Sequence, residues 1–430
     1  MARWYLSALI LILAQSTLIV AQSQSVSLLV EWKTTIDDVS GFDYIDLIDE
    51  GLMVAVGMSR VEDNTLSIAF IDVDRGEVVK SINMKMGGAS STILCLASLQ
   101  GDLIIVVASD YVLYKNVTLI EASTTNVTAR GSILLEPSAT PYTAYCKGKS
   151  IYIAGSIIAK PGARVPYLVE AITEPGNVES TGEAIYNDYI NSTITSIALV
   201  GENLAASIRP ILGASGSLGQ GSKILLINRS SLDITGVYDF GSTATMIGIE
   251  TGGNGNVIVY GYDSSARGKI VALDGRLLQP IYTITLETPS IISAVRHYDN
   301  LVVGIGIALL GGNMTKPILI VYNESRESQE KEAKTYTADL EGSIIVTDVL
   351  MTTPKEYIIA GSMNGEAFIG KLSIREEAIP TTTHETTQKQ GQLQTLDPVT
   401  LMLAASTIVL TLIALSLAFM IYKKRRLTPR

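Results

Sequence analysis

Two aspartates and a glycine in the stretch FIDVDRGEVV, residues 70–79, are spaced like the start of a calcium-binding loop. Such a loop needs oxygen ligands at its first, third and fifth positions and a Glu at its twelfth. Counted from Asp72, the fifth position is Gly76 and the twelfth is Asn83, so the match fails. Asp and Gly are also what a tight hairpin requires. Because similar polar tips recur at 173–179, 227–233, 272–278 and 321–327, we predict a hairpin and no metal site.

A denser group of acids lies in the stretch DDVSGFDYIDLIDE, residues 37–50. Its six acids are Asp37, Asp38, Asp43, Asp46, Asp49 and Glu50. Clustered carboxylates could bind Ca²⁺ here. We favour a solvated loop as the alternative, and we expect no cofactor.

Histidine offers little for catalysis, because His384 lies in a polar stretch near the C-terminus and only His297 remains for the folded part. One histidine cannot build a three-His zinc site. No serine lies in a G-x-S-x-G elbow, which a hydrolase triad of that type would need. The sequence therefore contains no recognisable catalytic constellation.

Seven short apolar runs share one context and recur at nearly regular intervals. They begin at Leu52, Leu103, Ile151, Leu204, Val257, Leu301 and Tyr357, which gives spacings of 51, 48, 53, 53, 44 and 56 residues. Most follow a turn rich in Gly, Asp or Asn, with one strand-like segment before the run and two after it. Four short strands repeated seven times predict an all-β domain, a seven-bladed β-propeller over residues 25–378. A pair of β-sandwiches is the alternative.

The last repeat lacks a fourth strand, whereas SVSLLVEW at residues 25–32 precedes the first repeat and has no repeat of its own. We predict that this N-terminal strand is the outer strand of the last blade. That pairing closes the ring and removes exposed sheet edges.

On these repeats the chain resembles the β-propeller superfamily, with hairpins similar to those of YVTN-like and quinoprotein-like propellers. The GH…WD signature is absent, and so are the tryptophan stack of quinoprotein dehydrogenases and the S-x-D-x-G-x-T-W boxes of sialidases. The resemblance therefore implies a fold and no specific activity.

The two cysteines, Cys95 and Cys146, fall in the inner strands of blades two and three. Cys95 precedes its turn by about six residues and Cys146 by about two, an offset of about 13 Å at 3.3 Å per residue. A disulfide needs Cα atoms within about 7 Å. We predict two free thiols and no disulfide.

Basic residues recur in the loops between second and third strands, and these loops share one face of a propeller. They are Arg60, Lys160, Arg164, Arg209, Lys223, Arg267 and Lys316. A basic rim could attract an acidic protein or an anionic glycan, although loops also carry charge simply because they face water. We take Arg60, Arg164, Arg209 and Arg267 as candidate ligand-binding residues. His297 is added as a candidate at the channel mouth, with an ordinary surface turn as its alternative.

The two ends of the chain predict a single-pass membrane protein. Residues 1–21 read as a secretory signal cut near Ala21, with an uncleaved anchor as the alternative. Residues 379–398 form a Thr/Gln-rich stalk, 399–422 are uncharged and long enough to span a bilayer, and 423–430 are a basic cytoplasmic tail. The propeller would therefore lie outside the cell, as in archaeal surface proteins, which the chain resembles in these features.

Charge and glycosylation motifs agree with this topology. The net charge of −10 argues against nucleic acid, whose phosphates need Lys and Arg. Six glycosylation sequons occur, at Asn116, Asn126, Asn191, Asn228, Asn313 and Asn323. We predict a cell-surface binding or scaffold protein whose partners are envelope or other membrane proteins, or glycans. The alternative is an extracytoplasmic hydrolase acting on glycans or peptides, which would bring acidic and basic side chains together at the channel mouth.

Overall fold

A computed structural model describes most of the first of the two units of the chain, Met1–Glu376. The described residues are 18–20, 22–99, 102–146, 148, 150–174, 177–211, 221–311, 314–325, 333–340 and 342–375. The predicted stalk, membrane helix and basic tail lie outside these ranges, as does most of the predicted signal. Within the described ranges, no helix is long and apolar enough to cross a membrane.

The described residues form β-strands and two short 3-10 turns, Gly241–Thr243 and Gly253–Gly255. The strands are β1 (Leu18–Val20), β2 (Gln22–Ile36), β3 (Val39–Leu47), β4 (Leu52–Ser59), β5 (Thr65–Asp72), β6 (Val78–Lys85), β7 (Ser90–Leu99), β8 (Asp102–Asp110), β9 (Lys115–Ala122), β10 (Val127–Leu135), β11 (Thr140–Tyr145), β12 (Ser150–Lys160), β13 (Ala163–Glu174), β14 (Asn177–Ile185), β15 (Ser192–Val200), β16 (Asn203–Pro210), β17 (Lys223–Asn228), β18 (Ile234–Asp239), β19 (Ala244–Thr251), β20 (Val257–Asp263), β21 (Arg267–Leu273), β22 (Pro280–Tyr298), β23 (Leu301–Gly311), β24 (Met314–Asn323), β25 (Lys334–Ala338), β26 (Ile344–Thr353), β27 (Glu356–Met363) and β28 (Glu366–Ile374).

The strands pair into antiparallel units of four, which we call blades 1 to 7 in chain order. Blades 1 to 4 are β3–β6, β7–β10, β11–β14 and β15–β18. Blade 5 consists of β19, β20, β21 and the first part of β22, which pairs with β21. Blade 6 consists of the second part of β22, which pairs with β23, and of β23, β24 and β25. Blade 7 consists of β26, β27, β28 and β2. This all-β, propeller-like arrangement confirms the repeat of four short strands.

The N-terminal strand joins the last blade, as predicted from residues 25–32. Strand β2 runs antiparallel to β28, from Leu28 opposite Ile374 to Ile36 opposite Ala367. Its first residues also pair with β25, and β1, within the predicted signal, pairs with β22.

The hairpin at residues 70–79 packs against this N-terminal strand. The indole Nε1 of Trp32 donates to the Val73 carbonyl at 3.2 Å, and Thr34 Oγ1 donates to the Gly76 carbonyl. Asp72 Oδ1 accepts the backbone N–H groups of Asp74 and Arg75, so this carboxylate closes the turn. The predicted hairpin is confirmed.

The hydrophobic core is divided into seven clusters, and each combines residues of two consecutive blades. One cluster joins blades 7 and 1, with Ile358 and Ile369 packing beside Ile45 and Ile71. Strand β5 is buried over nearly its whole length, whereas the outer strand β6 is largely exposed. The middle strands have both faces covered by neighbouring blades, which explains why their sequences are continuous apolar runs.

The first strand of each blade, which we call its inner strand, carries a β-bulge at the same place in its blade. The bulged residues are Asp43, Leu94, Tyr142, Thr195, Ile247, Ser293 and Thr347. In five blades the second strand has a glycine opposite the bulge: Gly57, Gly155, Gly261, Gly306 and Gly361. A Cβ at any of these glycines would lie within 2.2 Å of an inner-strand carbonyl oxygen. The bulge therefore explains the glycine that ends most of the repeated apolar runs.

We expect Gly261→Ala to lower the melting temperature, because its Cβ would meet the Thr245 carbonyl oxygen at 2.1 Å. Overpacking of this kind costs about 1–3 kcal/mol. Gly236→Ala is the control, since its Cβ would have its nearest contact at 3.5 Å. Thermal unfolding of both variants checks the prediction, and equal melting temperatures would contradict it.

Candidate functional site

The inner strands of all seven blades line a central channel with a volume of about 560 Å³. Its wall consists of residues 43–44, 92–96, 142–146, 195–199, 247–251, 293–296 and 347–348, together with Tyr260. All seven bulged residues line the channel, and in every inner strand but β7 the bulged residue is the first to do so, so the bulges form a ring toward one end of the channel. Asp43, Tyr142, Thr195, Ser293 and Thr347 make this ring mostly polar.

Arg296 and Asp348 form a buried ion pair between blades 6 and 7. The guanidinium donates twice, from Nε to Oδ1 at 3.1 Å and from Nη2 to Oδ2 at 2.7 Å. The carboxylate also accepts the backbone N–H groups of Ile45 at 3.2 Å and Val349 at 2.9 Å. Burial opposes the charge of Arg296, but the carboxylates of Asp348 and Glu250 outweigh it and raise the pKa of the guanidinium. This pair and its hydrogen bonds connect blades 6, 7 and 1.

Other side chains of the inner strands also bond to the following blade. Ser196 Oγ accepts the N–H of Ile249, and Asp46 Oδ2 accepts the N–H of Ser98. Tyr44 Oη donates to the Leu94 carbonyl at 3.1 Å. An inner strand is the edge of its blade, so part of its backbone has no sheet partner and needs such bonds.

Cys95 and Cys146 form a disulfide between blades 2 and 3, with Cα atoms 6.3 Å apart, so the predicted free thiols are wrong. The prediction measured both positions from their turns. However, β7 continues to Leu99 while β11 ends at Tyr145, so the two turns do not lie level. Inner strands of different blades share no backbone register, and Cys146 lies just beyond the end of its strand.

None of the predicted basic residues lines the channel. Arg60 pairs with Glu366 at 3.4 Å, and Arg267 makes a bidentate pair with Asp263. Arg164 donates to the hydroxyls of Thr140 and Ser156. Lys223 and Lys316 pair with Asp239 and Asp339. Arg209 and Lys160 are exposed. Most residues of the predicted basic rim therefore already form an ion pair or a hydrogen bond with a nearby acid or hydroxyl.

His297 is largely buried between blades 5 and 6, in neither of the two environments considered for it. Its Nε2 lies 2.9 Å from Glu324 Oε2 and 3.1 Å from the Gly253 nitrogen. Nε2 can donate to Glu324 when protonated and accept from Gly253 when not. Burial opposes the charge of Glu324, but hydrogen bonds with His297 and Tyr282 outweigh it and lower the pKa of this carboxyl. These contacts make His297 part of an interface between blades.

The acids of residues 37–50 separate in the structure. Asp43 faces the channel, Asp46 bonds to blade 2, and Asp49 accepts the N–H of Gly51. Among the described residues, no group of three His, Cys, Asp or Glu side chains could hold a metal ion.

The sequons differ in accessibility. Asn126, Asn228 and Asn323 lie at hairpins between third and fourth strands, and Asn126 is exposed. Asn116 lies on β9 and is half-buried, while Asn313 falls outside the described residues. Asn191 is only 8% exposed, which leaves little room for a glycan on the folded protein. Use of the sequons stays a prediction.

The tight loop of residues 111–114 in blade 2 exposes two apolar side chains. Val112 is 97% exposed and Leu113 is 78% exposed. The rings of Tyr111 and Tyr114 stack at 4.6 Å, and the Tyr111 N–H donates to the Tyr114 carbonyl at 3.0 Å. The loop is therefore a braced turn with an apolar tip.

Sequence reasoning missed Glu250, Arg296 and Asp348 as channel residues, and it treated Asp43 only as part of an acidic loop. A signal was available, because Glu250 and Arg296 each follow their bulge by three residues in otherwise apolar inner strands. Alignment of the seven inner strands would have placed them at one level of the channel.

No family model matches this chain, and no curated protein matches it either. Among solved structures, the chain is similar to Chaetomium thermophilum Raptor, with 13% identity and a TM-score of 0.54. That alignment covers 83% of this chain but only 29% of the Raptor chain. BBS1N, crystallised in complex with ARL6DN, aligns with 11% identity and a TM-score of 0.48, over 82% of this chain and 98% of its own. At 13% identity, the likeness to Raptor supports a propeller-like fold and nothing further.

We expect Arg296→Met to destabilise the protein by about 3–5 kcal/mol, because it leaves the buried Asp348 carboxylate without its counterion. Arg267→Met is a matched control: it also breaks a bidentate pair with an aspartate, but this arginine is 46% exposed, so the cost is about 0–1 kcal/mol. Urea unfolding of the two variants measures the difference. Similar midpoints would show that the channel pair is no stronger than a surface pair.

Asp43→Asn should stabilise the protein at pH 8 and have no effect near pH 4. Burial raises the pKa of Asp43 from 3.8 to about 6, so the folded state favours the protonated acid. The contribution of protonated Asp43 to the free energy of unfolding is fully present below pH 4. It is lost as pH rises through 6, when the carboxylate ionises. Because the side chain meets water inside the channel, we expect about 1 kcal/mol, or roughly 1–2 °C.

Calorimetry of wild type and Asp43→Asn at both pH values tests this expectation. Asp74→Asn, at an exposed hairpin tip, controls for the general effect of removing one acid. A constant difference between wild type and Asp43→Asn at the two pH values would refute it.

Proposed function

We propose that this chain is a cell-surface binding or scaffold protein. Its ectodomain is a seven-bladed β-propeller closed by the N-terminal strand, and a helix at residues 399–422 holds it in the membrane with the C-terminus inside. The observation that carries the binding role is the braced loop 111–114. Val112 and Leu113 are exposed on a turn fixed by stacked tyrosines, which leaves two apolar side chains on a preorganised loop available for contact with a partner. The partners are envelope or other membrane proteins, or glycans.

Two observations support a location outside the cytoplasm. The Cys95–Cys146 disulfide suits an oxidising compartment, because cytosolic thiols are generally kept reduced. The exposed sequon at Asn126 is compatible with glycosylation at the cell surface. Both agree with the predicted signal and membrane helix.

An extracytoplasmic hydrolase is the second candidate, and one observation favours it. Asp43, Glu250 and Arg296 line the same channel, and the pKa of Asp43 near 6 suits a general acid. Binding remains the stronger proposal, because Arg296 and Asp348 are already bonded to each other and to the backbone of blades 7 and 1.

Capture by the full-length protein in detergent tests the binding role. The protein is immobilised and exposed to solubilised envelope proteins and to a glycan array. We expect a defined partner that Val112→Ser/Leu113→Ser fails to retain and that Val79→Ser, on the exposed face of β6, still retains. Hydrolysis of glycan or peptide substrates without capture, abolished by Asp43→Asn, would replace binding with the enzymatic alternative.

A further inference from the structure

The carboxylate of Asp43 enters the central channel without a partner. Asp43 is the bulged residue of β3, and its side chain is accessible from the channel. It forms no hydrogen bond or ion pair with the described residues, whereas the adjacent Tyr44 is tied to blade 2. Burial raises the pKa of Asp43, and no neighbouring charge contributes to that shift. The folded protein therefore supplies this acid with no counterion.

The charges that share the channel are unbalanced. Arg296 is the one cation among the described lining residues, and Asp348 already occupies it. Glu250 and Asp43 remain, and neither carboxylate has a hydrogen-bond partner among the described residues. Two acids in excess in a narrow channel concentrate cations there.

The channel wall also offers aromatic rings and hydroxyls. Tyr142 is the bulged residue of β11 and is 43% exposed, and Tyr145 and Tyr260 also line the cavity. The faces of such rings attract cations. The hydroxyls of Thr92 and Ser293 make no bond within the described part of the chain and can accept from an N–H donor. A carboxylate, an aromatic ring and scattered hydroxyls suit an organic cation, and a volume of about 560 Å³ is ample for one.

We propose that the channel binds an ammonium or guanidinium group, with Asp43 as its counterion and Tyr142 as its aromatic contact. This site deepens the proposed binding function. The cation belongs either to a Lys or Arg side chain of a partner protein or to a free polyamine. The geometry suits a partner, because Asp43 is the first residue of β3 that lines the channel and so lies toward the end at which the inner strands begin. Antiparallel pairing puts loop 111–114 on that same face.

Titration calorimetry on the full-length protein in detergent tests the site, using N-acetyl-lysine methylamide and spermidine as probes. N-acetyl-norleucine methylamide is the uncharged control. At pH 7.5 we expect at least one cationic probe to bind and the norleucine probe not to bind. Selective binding of the lysine probe points to a partner side chain, and selective binding of spermidine points to a free amine.

Matched variants assign the contacts. Asp43→Asn should weaken binding at least tenfold, while Asp74→Asn leaves it unchanged. Tyr142→Leu should weaken binding about two- to fivefold. Lowering the pH to 5 should also weaken binding several-fold, because Asp43 is then mostly protonated. Failure of both cationic probes to bind, or equal binding by Asp43→Asn, would overturn the proposal.

The same variant separates this site from the proposed function. If Asp43→Asn captures envelope partners as wild type does and neither cationic probe binds, the channel site fails and the binding function stands. If the probes bind through Asp43 but no partner or glycan is captured, the channel site stands and the scaffold function fails.

Discussion

The structure depends on one constraint: the inner strand of every blade is a sheet edge that must be satisfied by the next blade. Backbone groups on that edge have no ladder partner, and a buried unpaired group costs as much as a lost hydrogen bond. Asp348, Ser196, Tyr44 and Asp46 meet this need with side-chain bonds to the following blade. The same bonds hold the blades at a fixed separation and so define the channel.

Hydrophobic packing also joins each blade to the blades beside it. Each hydrophobic cluster belongs to two consecutive blades, so no blade has a complete core of its own. A change in one blade is therefore felt mainly by the two beside it, as in other repeat architectures. Blades 6 and 7 also share the buried Arg296–Asp348 ion pair, whose carboxylate accepts a hydrogen bond from blade 1.

Features encoded locally could be predicted from sequence. Turn residues and apolar runs gave the repeat, and an unmatched strand at 25–32 gave the closing pairing with β28. Features that depend on contact between blades could not be predicted. The disulfide was missed because turn positions do not set the relative height of two inner strands. The arginines Arg60 and Arg267 looked available because their acidic partners, Glu366 and Asp263, were not considered with them.

The pairing of β2 with β28 also governs when the domain can become complete. Leu28 is made long before its partner Ile374, which belongs to the last described strand. Until that strand arrives, β2 lacks its antiparallel partner from Leu28 to Ile36, and blades 7 and 1 lack part of their shared core. Loop-closure entropy grows only slowly with chain length, so the final state loses little stability by joining distant segments. The consequence is kinetic: contacts so far apart in sequence form late, and the nascent blades stay exposed to wrong pairing until the last described strand is made.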